Sequence, residues 1–232
     1  MTSDQNTRFE PHPIEPGFRP EGPVHRPRWS AARLLRAIGI LYFRPDRFVR
    51  EFIMEPAPWV VALFAWSYGI SGGDFNTRAT TLESWVLEWI VWALLGIVFG
   101  FVYYKLGGWW YRKRLSWSGA TNIDRALAKR VYLSTAQIEV LPSIGWKLAR
   151  TIIYATPKAA SEAAAQTTLS NTCVFLAIVV VFPLWSAWAS CLGVETAFTV
   201  RRGAARFWFF LLPLIVYGLA ALALAGVALW GQ

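Results

Sequence analysis

Histidine is almost missing from this chain: there are two, His12 and His25, and both fall within the first 28 residues. Without histidine in the apolar part, a serine or cysteine there has no usual base to activate it. The segment Gly69-Ile70-Ser71-Gly72 has the spacing of a serine-type intramembrane protease, but with no histidine beside it the expectation is a small-residue helix end. Paired aspartates are missing too, because Asp46, Asp74 and Asp124 all lie outside the apolar runs. That excludes aspartyl proteolysis within a bilayer. Cysteine occurs only at 173 and 191. In one helix those two would stand about 27 Å apart, too far for a disulfide. No metal-ligand spacing and no phosphate-binding glycine loop is present, so neither a cofactor, a metal nor an enzyme is expected.

Charge is scarce as well. Charged residues make up 16% of the chain against the roughly one quarter of soluble domains, hydrophobic residues make up 55%, and the mean hydropathy is +0.36. The net charge of +9 is not the footprint of a nucleic-acid binder, because the basic residues lie in the first segment and in stretches flanking apolar runs. That distribution is a topology signal.

What the chain does contain is long uncharged runs. Residues 171–192 and 207–230 hold no charged side chain, and each reaches the roughly 20 residues that a helix needs to cross about 30 Å of hydrocarbon. Residues 56–73 form a shorter uncharged run, and 85–106 form another span edged by Trp85, Trp89, Trp92, Tyr103 and Tyr104, with Glu88 one turn inside. Residues 131–147 are the weakest candidate, interrupted by Gln137, Glu139 and Pro142. A carboxylate at mid-membrane costs several kcal/mol unless it is protonated, paired or in a wet cavity. This segment therefore either crosses inside a bundle or does not cross. The fold class expected is all-α, a polytopic membrane helix bundle with five transmembrane helices, or four if 131–147 stays out, over residues 56–230.

Ahead of it, residues 1–28 carry prolines at 11, 13, 16, 20, 23 and 27, so a disordered cytoplasmic tail is expected. No apolar stretch follows Met1, so the tail is not expected to be a signal peptide. Residues 29–55 alternate apolar and basic side chains at helical spacing, with Ser30 as N-cap and a break at Pro45. They predict a basic amphipathic helix, either lying at the headgroup level or packed on the protein's own spans. Its Arg33, Arg36, Arg44, Arg47 and Arg50 are the candidate headgroup contacts. Residues 107–130 are expected to be a basic loop, 159–165 a short surface helix, and Pro183 a kink. The small residues Gly96 and Gly100, and Gly218, Ala221 and Ala225, are expected to be helix-packing positions. Counted over short segments, an internal N-terminus puts nineteen positive residues inside and four outside, whether there are five spans or four.

With this layout the chain resembles the YIP family, the Ypt/Rab-interacting membrane proteins and their bacterial relatives. The matching residues are Leu41-Tyr42-Phe43-Arg44-Pro45-Asp46-Arg47-Phe48, Gly107-Gly108, Leu141-Pro142, Glu195-Thr196-Ala197-Phe198 and Arg201-Arg202-Gly203-Ala204-Ala205. Met54-Glu55-Pro56 stands where eukaryotic members carry an Asp-Leu-Tyr-Gly-Pro type motif, so the match is to a bacterial-type member. The resemblance implies five spans with a weak proline-bearing middle one, no catalytic residues, and membrane organisation or trafficking through membrane-protein partners. The expected location is a bacterial inner membrane with a cytoplasmic N-terminus and an external C-terminus, the alternative being a eukaryotic endomembrane. Expected partners are the lipid bilayer and other membrane proteins or further copies of the chain, with no nucleic acid. The competing function is a small transporter or channel subunit using Glu139 and Glu88, which with Pro142 are the candidate functional polar groups within the membrane.

Overall fold

The computed structural model describes residues 30–53, 57–72, 82–154 and 177–230. The tail expected over 1–28, the short helix expected over 159–165, Cys173 and the first residues of the 171–192 run lie outside them. Among the described residues every regular element is a helix, with no strand. We number the helices α1 (Ala31–Phe43), α2 (Pro45–Phe48, continued by a π-turn Val49–Ile53), α3 (Pro58–Ser71), α4 (Leu82–Trp117), α5 (Arg125–Tyr154) and α6 (a π-turn Ala177–Val181 leading into Phe182–Ala197). The last, α7, runs through Arg202–Arg206, a π-turn Phe207–Leu211 and Leu212–Trp230.

Among the described residues three helical stretches, Leu82–Trp117, Ala177–Ala197 and Arg202–Leu219, are long and apolar enough to cross a membrane. Leu87, Leu94, Ile97 and Phe101 of α4 are each 60–62% exposed. An exposed apolar face of that extent marks a membrane or protein contact surface. Among the described residues the protein is all-helical, and its three apolar stretches are those of a membrane protein.

The expected loop over 107–130 is corrected. Helix α4 continues to Trp117, and only residues 118–124 turn before Asp124 caps α5, its carboxylate accepting the Ala126 N–H at 2.8 Å. The helix survives Gly107-Gly108 because those glycines are a contact surface. A Cβ on Gly107 would lie 2.3 Å from the Tyr132 ring, and one on Gly108 would lie 2.4 Å from the Lys129 stem. The tertiary contact outweighs the roughly 1 kcal/mol of helix propensity each glycine gives up.

Helix α3 packs on α4 by the same means, with Gly69 against the backbone of Gly96 and Gly100. The small-residue expectation for Gly96 and Gly100 thus corresponds to contacts within the chain. Around Gly218, by contrast, a Cβ would meet nothing within 4 Å among the described residues. The centre of the bundle is α5, whose Val131, Leu133, Ile138 and Val140 are buried among α3, α4, α6 and the first helical pair.

Of the two placements left open for residues 29–55, the structure takes the second on one face. Ala37, Leu41, Phe48, Val49, Phe52 and Ile53 are buried in the core, while Leu35 and Phe43 face outward. Ser30 caps α1 by accepting the Arg33 N–H at 3.2 Å, and the chain leaves helical geometry at Arg44, just before Pro45, as the steric clash of a following proline requires.

Candidate functional site

The polar interior begins at Gln137, a fully buried amide on the innermost face of α5. Its Nε2 donates to the carbonyls of Phe64 and Leu133, both at 3.1 Å, and its Oε1 accepts from Ser67 Oγ at 2.8 Å. A side chain that breaks the apolar pattern of a weak span is here the joint between α5 and α3. It is satisfied because an unpaired amide in this setting would cost about 1–3 kcal/mol.

Prolines free two carbonyls nearby, and each finds a donor on another element. Pro142 has no N–H to give to Ile138, four residues earlier. The Tyr42 hydroxyl donates to the Ile138 carbonyl at 3.1 Å, with a longer approach of 3.4 Å to Gln137 O. Burial pushes the Tyr42 hydroxyl up to about 12, so it remains a donor at physiological pH. In α7 the π-turn pairs Leu212 N–H with Phe207 O, so the next bond would run from residue 213 to Trp208. Residue 213 is proline, and Arg114 Nη2 donates to the Trp208 carbonyl instead. Pro142, singled out from sequence for its freed backbone, is therefore a docking point for α1.

Between α3, α4, α5, α6 and α7 lies a cavity of about 110 Å³. Glu139 lines it, together with the hydroxyls of Tyr68, Tyr111, Tyr132 and Tyr217, the Arg114 guanidinium, and Ser186 and Ser190. At roughly 30 Å³ per water, it has room for three or four. The Tyr68 and Tyr132 rings meet edge-on, their centroids 6.0 Å apart. Ser190 Oγ donates to the Tyr111 hydroxyl at 3.1 Å, and Ser186 Oγ donates to Thr135 O at 3.1 Å. Arg114 sits 4.3 Å above the Phe209 ring, and its Nε is buried without a partner among the described residues. A carboxylate ringed by phenol hydroxyls in so small a space can hold a proton or a small cation. The set contains no nucleophile with an adjacent base.

Glu88 does not belong to this cavity. Its neighbour Trp89 donates Nε1–H to Thr151 Oγ1 at 3.0 Å, twelve residues along α5 from Glu139 and so about 18 Å away. The arginines of the first helical pair stand apart again. Arg36, Arg44, Arg47 and Arg50 are exposed, Arg33 lies over the Phe52 ring, and Arg47 and Arg50 pair with Glu51 and Asp46 one turn away. The four tyrosines were not legible as a site from sequence. A signal was present in the inward positions 96, 100, 108, 111 and 115, whose three-, four- and eight-residue spacing carries α4 through its glycines to Tyr111.

Among the described residues, no group of three or more His, Cys, Asp or Glu converges as a metal site would require. Comparison with family models, with curated proteins and with solved structures finds no match to this chain.

Proposed function

We propose that this chain is a non-enzymatic multi-pass membrane protein of the YIP type, with five crossings, which organises membrane or binds other membrane proteins. Its setting on this reading is a bacterial inner membrane, with the N-terminus in the cytoplasm and the C-terminus outside. The observation that carries the reading is the enclosure of α5. A proline-bearing helix too polar to face lipid is wrapped by its neighbours, and its amide and its freed carbonyl are satisfied by Ser67 and Tyr42. That is the condition under which such a segment can cross. A reporter fused after Gln232 is expected to signal from the external side while one fused before Met1 signals from the cytoplasm. Both ends on one side would overturn the five-crossing layout and the family reading with it.

A second reading, a small transporter or channel subunit, is favoured by one observation, the Glu139 cavity. It predicts proton flux in proteoliposomes that Glu139→Gln abolishes and Glu88→Gln leaves intact, since Glu88 lies outside the cavity. Equal flux from wild type and Glu139→Gln would remove it.

A further inference from the structure

On one flank of the bundle an open apolar groove of about 880 Å³ runs between α3 and α4, from Pro58, Tyr104 and Ala126 at one end to Trp66 and Ile97 at the other. The span from residue 58 to 66 makes it about 12 Å long. Its first end is basic. Arg130 forms part of its wall, the Lys129 ammonium lies 4.4 Å over the ring of Tyr104, and the Lys105 ammonium lies 5.2 Å over the ring of Phe101, both rings being walls of the groove. Arg112 and Arg125 are close enough to repel Lys129. Among the described residues no carboxylate pairs with Lys105, Arg112, Arg125 or Lys129; the adjacent Asp124 is engaged in capping α5.

We propose that this flank is a binding site for one anionic phospholipid, its acyl chain along the α3–α4 groove and its phosphate between Lys105 and Lys129. Charge selects the occupant. Lys105 and Lys129 stand over two wall rings at one end of an apolar trough, with Arg112 and Arg125 adding like charge, and an anion carrying a hydrocarbon tail satisfies both the cations and the trough. The state of Lys129 agrees: burial first, then the like charges of Lys105, Arg112 and Arg125, hold its ammonium below the usual lysine value. The site deepens the membrane-organising reading and rests on it, because it gives the protein a specific lipid to gather.

The test uses the full chain in phosphatidylcholine vesicles containing a trace of spin-labelled phosphatidylglycerol or spin-labelled phosphatidylcholine, and compares the immobilised fractions. Wild type is expected to prefer phosphatidylglycerol. The double change Lys105→Gln and Lys129→Gln should cut that preference about thirtyfold. Lys105→Arg with Lys129→Arg should retain it. Ala62→Trp, which fills the exposed groove without entering the α3–α4 contact, should lose it with every charge in place. Competition by inorganic phosphate as effective as by lipid would overturn the proposal, as would a preference untouched by Ala62→Trp. A preference lost only on changing Arg36 and Arg44 to Gln would sink this site while leaving anionic-lipid engagement standing. No preference in any variant would sink both.

Discussion

Gly69→Ala is expected to destabilise the protein by about 3 kcal/mol or more, at the upper end of what overpacking usually costs. The added carbon would sit 2.1 Å from Gly96 O and 2.6 Å from Gly100 N. Both are backbone atoms of α4, which cannot rotate aside as a side chain could. Relief requires α3 to move off α4, and that move also lengthens the hydrogen bond from Trp66 Nε1 to Ala93 O, now 2.8 Å. The same change at Gly145, where a Cβ meets nothing within 4 Å among the described residues, should stabilise by up to about 1 kcal/mol through helix propensity alone. Reversible unfolding in mixed micelles, followed by tryptophan fluorescence, measures both. Equal stability of the two variants would mean that α3 and α4 are not in backbone contact.

Phe209→Ala is expected to cost about 3–5 kcal/mol, the usual range for a buried Phe reduced to Ala. Phe209 is fully buried, edge-on to Tyr111 with ring centroids 4.8 Å apart, and its face receives the Arg114 guanidinium at 4.3 Å. Losing the ring removes the packing that ties α7 to α4 and uncovers a guanidinium whose Nε has no partner among the described residues. Phe207 offers the control, since it stands two residues away and is 43% exposed. Its change to Ala should cost about 1 kcal/mol or less, because a position facing lipid loses little when shortened. The same unfolding series decides between them, and a Phe209 variant no weaker than the Phe207 variant would refute the docking of α7 on Tyr111 and Arg114.

Both expectations rest on features that one-dimensional patterning carries poorly. Uncharged runs mark out α3, the lipid-facing part of α4, α6 and α7, because transfer into hydrocarbon depends on composition and length. Gly107-Gly108 reads as a helix break by propensity, yet α4 runs on for nine residues past it, since Tyr132 and the Lys129 stem fill the space a side chain would occupy. Arg114, assigned to a loop on that reading, instead ends on the cavity wall with its guanidinium on Phe209. Glu139 was visible as an oddity in an apolar window, but the four tyrosines around it come from four different helices and share no local spacing.

Sequence alone determined that this chain is helical and lives in lipid, which of its segments are lipid-like, and where its positive charge collects. Those properties follow from summed transfer free energies and need no partner residue. Only the tertiary structure decided that Gln137 is a joint, that Tyr42 answers Pro142, that Glu139 opens on a cavity, and that Lys105 and Lys129 meet at a groove. Each of these depends on contacts between different helices, as between Lys129 and Tyr104, 25 positions apart, or Tyr42 and Ile138, 96 apart. Such contacts exist only once helices have packed, and the complementary shapes that select them are not a property of any one segment.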